Sequence, residues 1–372
     1  MEEKLRKDGV GAAVRSQVRE DFERDGVTCV RGVFTEEWIN CLREATEKAL
    51  EPGNPDLEAY SGDEACRHSS RFVAEMDCSR KYDGFARFVL ESNAAEVAAA
   101  VMQSARCNFF YDILFVKEPE TAERTVWHQD APYWAIAGDQ VCSIWIPLDQ
   151  IPQENCLEFV AGSHRWPTFA PFRFSDGKVY PEYENGSLPR LPDIEAMIQE
   201  EGPARDALFY EGTRHKVLRW ELEPGDALVF QRQIVHSAPP NASKSLRRRA
   251  FSTRWAGDDA TFVRIPGVKA AYPNFEVITK EGRQLEHGEP IASAPRPFPR
   301  LFAADESDAE LVAKQREIRA AKESVHGGAM SDSLATVLQP METKAYLDLR
   351  RQAGAKFSRG PERDRGLQGL VH

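Results

Sequence analysis

Four positions in this 372-residue chain have side chains of the right type and spacing to hold a metal ion and an anion beside it. Two come from Trp127-His128-Gln129-Asp130. In an extended strand alternate residues share a face, so His128 and Asp130 would project together and could take adjacent positions on one ion. The third is His236, which follows an apolar run and leads into Pro239-Pro240-Asn241. The fourth lies within Arg247-Arg248-Arg249. If residues 248–255 form a strand, Arg248, Ala250, Ser252 and Arg254 share one face, with Arg247, Arg249, Phe251 and Thr253 on the other. The first face sets a guanidinium beside small residues with room for a ligand, which selects Arg248. Each feature alone also has a plainer reading: an Asp capping a turn before Pro132, a hydrogen-bonded structural histidine, a basic surface turn.

Taken together they specify more. Two imidazoles and one carboxylate bind one face of an octahedral Fe(II) and leave the opposite face open. 2-Oxoglutarate can fill two of the open positions with its keto and C1 carboxylate oxygens, leaving one for O2. Its C5 carboxylate then needs a planar, bidentate partner, which arginine supplies better than lysine. The expected cofactor is therefore Fe(II), with 2-oxoglutarate and O2 as co-substrates.

The elements that must position these residues are short strands. Apolar or aromatic runs at 109–116, 141–148, 157–160, 227–230 and 250–255 are separated by turn-formers, the texture of a sandwich or barrel. Ahead of them, residues 14–51 read as two helices around a strand at 27–33, with Thr35 as N-cap of the second helix. Residues 52–80 read as irregular, and 82–102 as one amphipathic helix. The stretch 166–218 reads as a long, lid-like insertion. This divides the chain into a helical region at 1–107 that packs on the core, a core at 108–256, and an extension at 257–372. The extension carries a Pro-rich piece near 294–299, a charged helical piece at 310–322 and a polar end at 357–365.

Bulk properties narrow the class. With 42% hydrophobic residues the chain can bury a sizeable core, and its net charge of −11 argues against nucleic acid as the main partner. Seven scattered cysteines without a CxxC pair suit reduced thiols in a cytoplasmic protein. The charged start at 1–8 has no apolar stretch behind it, so no secretory signal is expected, and no apolar run is long enough to span a membrane.

The sequence resembles the phytanoyl-CoA dioxygenase family of Fe(II)/2-oxoglutarate oxygenases over about residues 20–256. The resemblance rests on Asp25-Gly26, Lys117-Glu118-Pro119, His128-Gln129-Asp130 with Tyr133, Trp145 within 144–149, and Asn155-Cys156-Leu157. It continues through Gly162-Ser163-His164, Glu223-Pro224-Gly225-Asp226, and the segment from His236 to Arg248. It implies a mostly β fold with flanking helices around a double-stranded β-helix (jelly-roll) core. It implies His128, Asp130 and His236 as iron ligands and Arg248 as the holder of the C5 carboxylate. Trp145 stands where the family has an aromatic beside the co-substrate, and Lys117 where some members have a second contact; core packing and a surface lysine are the alternatives. Two departures are visible. Glu154-Asn155 replaces the usual Asn-Gly, where Asn would supply a left-handed residue, and Ala161 replaces a proline. His164 is expected to support the turn and to bind no metal.

Retention of Asp130, which halogenases of this kind replace with a small residue, implies C–H hydroxylation or a related oxidation. Tyr133 and Trp134, directly after the metal motif, and Tyr111 on the preceding strand would line the pocket, or serve as ordinary core aromatics. Arg254 would meet an acidic group of the substrate or pair with an acid in 176–205. With no long apolar channel and no basic adenine-phosphate site in view, a small polar or acidic metabolite is expected as substrate. A non-catalytic metabolite- or partner-binding module is the competing reading, and a hydrolase lacks an evident general base.

Overall fold

The apolar runs assemble into two antiparallel sheets. In this computed structural model the described residues are 16–51, 58–59 and 72–304, except 175, 266, 269–271 and 274–275. The pieces at 310–322 and 357–365 lie outside them. The larger, eight-stranded sheet runs β1 (Val27–Val30), β11 (Ala227–Gln231), β7 (Val141–Pro147), β13 (Arg248–Ala256), β4 (Arg106–Lys117), β3 (Phe72–Met76) and β2 (Glu58–Ala59), with β15 (Arg300–Ala303) also paired to β4. The smaller sheet runs β5 (Thr125–His128), β12 (His236–Ala238), β8 (Glu158–Val160), β10 (Thr213–Leu218) and β9 (Ala207–Tyr210). A two-stranded ribbon pairs β6 (Ile136–Ala137) with β14 (Thr261–Phe262). This is the mostly β, jelly-roll core that the sequence implied, with two separate sheets rather than a closed barrel.

The two faces of the large sheet do different work, because side chains alternate along each strand. Phe251 points outward from β13 against Phe85 and Phe88, at ring distances of 4.6 and 5.9 Å. Those rings belong to α3 (Asp83–Glu91), which with α1 (Ser16–Asp25), α2 (Glu36–Ala49) and α4 (Ala94–Met102) contributes to the cluster on that face. Burying one such ring stabilises by about 2 kcal/mol. The inner face carries Val27, Trp145, Leu228, Phe230 and Ala250, packed with Ile151, Leu157 and Phe159 from the side of the small sheet. Phe159 lies 5.1 Å from the Phe230 ring and 5.8 Å from His236, so this inner cluster backs directly onto a candidate ligand.

Several local expectations change. Residues 82–102 form two helices rather than one. Ser92 leaves the helix with an extended backbone, its hydroxyl accepts the Ala94 N–H, and Asn93 donates to the Val33 carbonyl. Short polar side chains of this kind compete with the helix for backbone partners. Residues 72–76, read as irregular, form a strand on β4 with Phe72 opposite Lys117. The stretch 166–218 contains α5 (Ile194–Glu200), capped by Asp193, which accepts from the Ala196 N–H, and the β9–β10 hairpin. The half-exposed hairpin strands carry too little apolar periodicity to be seen in sequence. Thr35 does sit at the N-cap of α2, but its side chain makes no capping hydrogen bond. Asn155 closes a short 3-10 turn and is not left-handed; the left-handed residue in this region is Gly162, at φ 79°. Among the described residues no helix is long and apolar enough to cross a membrane.

Candidate metal and co-substrate site

His128 ends β5 and His236 begins β12, and the two stand directly opposite each other in the pairing register, with ring centroids 4.2 Å apart. The strand places the two imidazoles; a turn places the carboxylate. Asp130 has left the strand (φ −73°, ψ −33°) at the start of the 3-10 turn Ala131–Tyr133, and its Oδ1 comes within 3.7 Å of His128 Nε2. The expectation that the pair shares a strand face is therefore corrected in its cause: Pro132 in that turn bends the chain back toward the histidines. Ligand atoms of His128, Asp130 and His236 all lie within 4.8 Å of one another.

The donors are prepared for a cation. His128 Nδ1 faces the Val126 carbonyl at 2.7 Å and His236 Nδ1 faces the Ile234 carbonyl at 3.0 Å. Both contacts favour the tautomer with the proton on Nδ1, which leaves each Nε2 lone pair free. Burial, and then the neighbouring His236, hold His128 well below the usual histidine range. Burial pushes Asp130 up, opposed by His236, Arg254 and Ser143. Asp130 Oδ2 is buried without a hydrogen bond. A buried carboxylate oxygen left orphaned beside two imidazoles is costly unless something positive completes it. The donor set fits a divalent first-row metal.

Arg248 opens β13 on the inner face, buried, with Nη1 donating to the Asn155 carbonyl at 2.6 Å. Burial pushes its pKa down to about 10, and it has no ion-pair partner among the described residues. Its neighbours face the other way, as the strand parity predicted. Arg247 pairs with Glu118 and Glu47, and Arg249 with Asp149 and Glu47. Lys117 lies opposite Arg248 on β4, but its Nζ is directed to the carbonyls of Glu123, Ala238 and Pro239 and sits 4.7 Å over the Phe72 ring. Burial, reinforced by Arg248 and Arg124, lowers its pKa to about 6. Trp145 is buried on the inner face between Ser252 and Leu228.

At the other end of β13, Arg254 lies 4.8 Å from the Tyr111 ring and 5.8 Å from Trp134. Tyr111 also stacks on Tyr272 at 4.1 Å. Tyr133 uses its hydroxyl to accept the Phe172 N–H and donate to the Phe172 carbonyl, so it fastens the insertion beside the site. His164 is remote from the three ligands and packs against Gly26, where a Cβ would come within 2.4 Å of its Nδ1.

Sequence reasoning missed Phe174, Ser143 and Asn155 as site residues. Phe174 meets His128 edge-on at 5.0 Å although it is 39% exposed. Ser143 faces Asp130 from β7, and Asn155 reaches Arg248 through its carbonyl. The strand parity of 141–147 could have flagged Ser143 as a polar residue on an apolar face; nothing local marks the other two.

A jelly-roll with a His-x-Asp and distal His cluster between its sheets has the architecture of the Fe(II)/2-oxoglutarate oxygenases. The model of the phytanoyl-CoA dioxygenase (PhyH) family matches residues 22–250, and the chain belongs to that family. A Caenorhabditis elegans protein named "Probable phytanoyl-CoA dioxygenase" is 25% identical over 181 residues, which is 47% of this chain and 51% of that protein. The chain thus spans about half the length of that curated relative. Among solved structures, the non-haem alpha-ketoglutarate-dependent carbocyclase SnoK from nogalamycin biosynthesis superposes with TM-score 0.54 at 20% identity, over 77% of this chain and 96% of that one. The epimerase SnoN in complex with Fe3+, alpha-ketoglutarate and nogalamycin RO gives 0.54 at 20%, over 78% and 98%. EctD from S. alaskensis with 2-oxoglutarate and 5-hydroxyectoine gives 0.52 at 16%, over 75% and 86%. These likenesses are of fold.

Proposed function

We propose that the protein is an Fe(II)/2-oxoglutarate-dependent dioxygenase that hydroxylates a small polar or acidic metabolite and releases succinate and CO2. The observation that carries this reading is the convergence of His128, Asp130 and His236 with an orphaned carboxylate oxygen, on a fold whose family uses such a set. His128, Asp130 and His236 would hold the iron, and Arg248 would receive the C5 carboxylate of the co-substrate. When bound there, Fe(II) supplies the coupling of O2 reduction and co-substrate decarboxylation to substrate oxidation.

The chain's own residues orient and exclude. Val126 and Ile234 carbonyls fix the two ring tautomers. Trp145 would wall the co-substrate against the inner core. Lys117 would hold the carbonyls of Glu123, Ala238 and Pro239, more than touch the ligand itself. Tyr133, Trp134, Tyr111 and Arg254 would line the substrate side, with Phe174 keeping water from His128. The reading includes a cytoplasmic setting, a small-molecule substrate rather than nucleic acid, and a catalytic core at 108–256. The region 1–107 would pack on that core, 166–218 would act as its lid, and 257–372 would form a C-terminal extension.

Calorimetry with Mn(II), which takes the same donor set without redox turnover, tests the assignment. One metal per chain should bind, 2-oxoglutarate should bind only after it, and Asp130→Ala should lose both. Co-substrate binding that needs no metal contradicts the reading. Binding without any succinate formed under O2 with Fe(II) favours the non-catalytic module instead.

A further inference from the structure

Arg254 is a buried guanidinium, 4% exposed, with no acid in ion-pair contact among the described residues. One hydrogen bond holds it, from Nη1 to the Ser252 carbonyl at 2.7 Å. Its Nε is buried without a partner, so the Nε–Nη2 edge, the side of the fork that grips a carboxylate with two parallel bonds, is left open. The acids of 176–205 do not reach it: Asp176 pairs with Arg173, and Glu195 with Arg205 and Arg124. Two further buried hydroxyls lie beside it on the same sheet face: Ser252, two residues back on β13, has no hydrogen bond, and Ser143, directly across on β7, has only Asp130 to reach. Buried polar groups are nearly always satisfied, so an open guanidinium edge with two hydroxyls beside it on one face marks a place that a ligand completes.

Arg248 and Arg254 lie six residues apart on β13, which separates their Cα atoms by about 20 Å. A five-carbon diacid anchored at the triad and on Arg248 leaves the Arg254 edge for another molecule. The rings of Tyr111 and Trp134 beside the guanidinium hold it in place and screen it from water.

We infer that Arg254, assisted by the Ser143 and Ser252 hydroxyls, anchors a carboxylate of the substrate, so that the substrate is a small organic acid oxidised within a few bonds of its acid group. The inference rests on the oxygenase reading of the same site. The Trp134 ring, 5.8 Å from the guanidinium, directly follows the turn that Asp130 opens, which places the anchored acid group on the metal side of β13.

The test uses full-length protein held anaerobically with Fe(II) and saturating 2-oxoglutarate. Acetate, butyrate, benzoate and indole-3-acetate are each compared with their carboxamides, and with inorganic phosphate, by the rise in unfolding temperature. At least one acid should stabilise where its amide does not. Arg254→Gln should weaken that acid by about 10- to 100-fold, and Arg254→Lys, which keeps the charge without the fork, should recover part of it. Both variants should titrate 2-oxoglutarate as the wild type does, which also shows that they are folded. No acid-specific stabilisation, stabilisation by phosphate alone, or an effect that survives in Arg254→Gln overturns the proposal. Weakened 2-oxoglutarate binding in Arg254→Gln overturns it too, by moving Arg254 into the co-substrate site. Failure of the oxygenase reading is seen separately, as wild-type protein that binds no 2-oxoglutarate.

Discussion

Arg248 and Lys117 share a sheet row yet have opposite chemistry. Arg248 keeps the bidentate fork that a diacid's far carboxylate requires, while Lys117 is surrounded by carbonyls. Arg248→Lys should therefore raise the 2-oxoglutarate dissociation constant by about tenfold or more while metal affinity stays put; equal loss of both would mean that Arg248 holds the fold instead. Asp112 offers a second residue-scale check. It is buried, accepts from the Ser79 N–H and hydroxyl, and burial with Asp77 pushes its pKa up to about 7. The folded form keeps its proton between the ordinary carboxylate range near 4 and about 7, where the unfolded chain has lost it. Stability from this group is thus complete below pH 4 and lost as pH rises toward 7, at most a few kcal/mol. Asp112→Asn should flatten the melting temperature between pH 4.5 and 8; an unchanged slope assigns the dependence elsewhere.

Among the elements, the insertion at 166–218 owes its seat near the metal ligands partly to one phenol. Tyr133→Phe removes both hydrogen bonds to Phe172 while keeping the ring against Phe174. Hydrogen exchange and proteolysis at 170–176 should accelerate with little change in melting temperature, and an unaltered pattern would show that other contacts suffice. This element also marks where sequence reading stops. His128, His236 and Arg248 were legible as candidates because strand alternation and turn-forming prolines are local signals, whereas Asp130 was found by its spacing although a turn, not the strand, presents it. Phe174, in contrast, reaches His128 from 46 positions away, on an irregular segment beyond β8, which no periodicity reports. The break at Ser92-Asn93 was hidden by the apolar periodicity on both sides, and β3 by the polar, turn-forming composition of the sequence ahead of it. The β4 bulge, which pairs Arg254 with Tyr111 but Trp255 with Phe109, turns Phe110 into a separate aromatic cluster. An extra residue of this kind is set by pairing, not by composition.

Across the whole molecule, segments on either side of the jelly-roll strands complete its sheet and its packing. β1, β3 and β15 add strands to the large sheet. Tyr272, Leu285, Ile291 and Phe298 build the cluster around Phe110 and Tyr111, behind Arg254. Because the three ligand groups come together only in the folded chain, metal and co-substrate should stabilise it by mass action. At a hundredfold excess over the dissociation constant this amounts to about 2.7 kcal/mol. Scanning calorimetry with Mn(II) and 2-oxoglutarate should show that upward shift and lose it on chelation; stabilisation that persists with EDTA contradicts a metal-dependent site.

The central claim, that His128, Asp130 and His236 hold an iron that 2-oxoglutarate chelates, is tested most directly by anaerobic titration of the apoprotein with Fe(II) and then 2-oxoglutarate. The readout is the visible charge-transfer absorption of the chelate. The account predicts the band in wild type, its loss in His236→Ala, and a much higher 2-oxoglutarate requirement in Arg248→Ala. A wild-type protein saturated with Fe(II) that develops no band contradicts it.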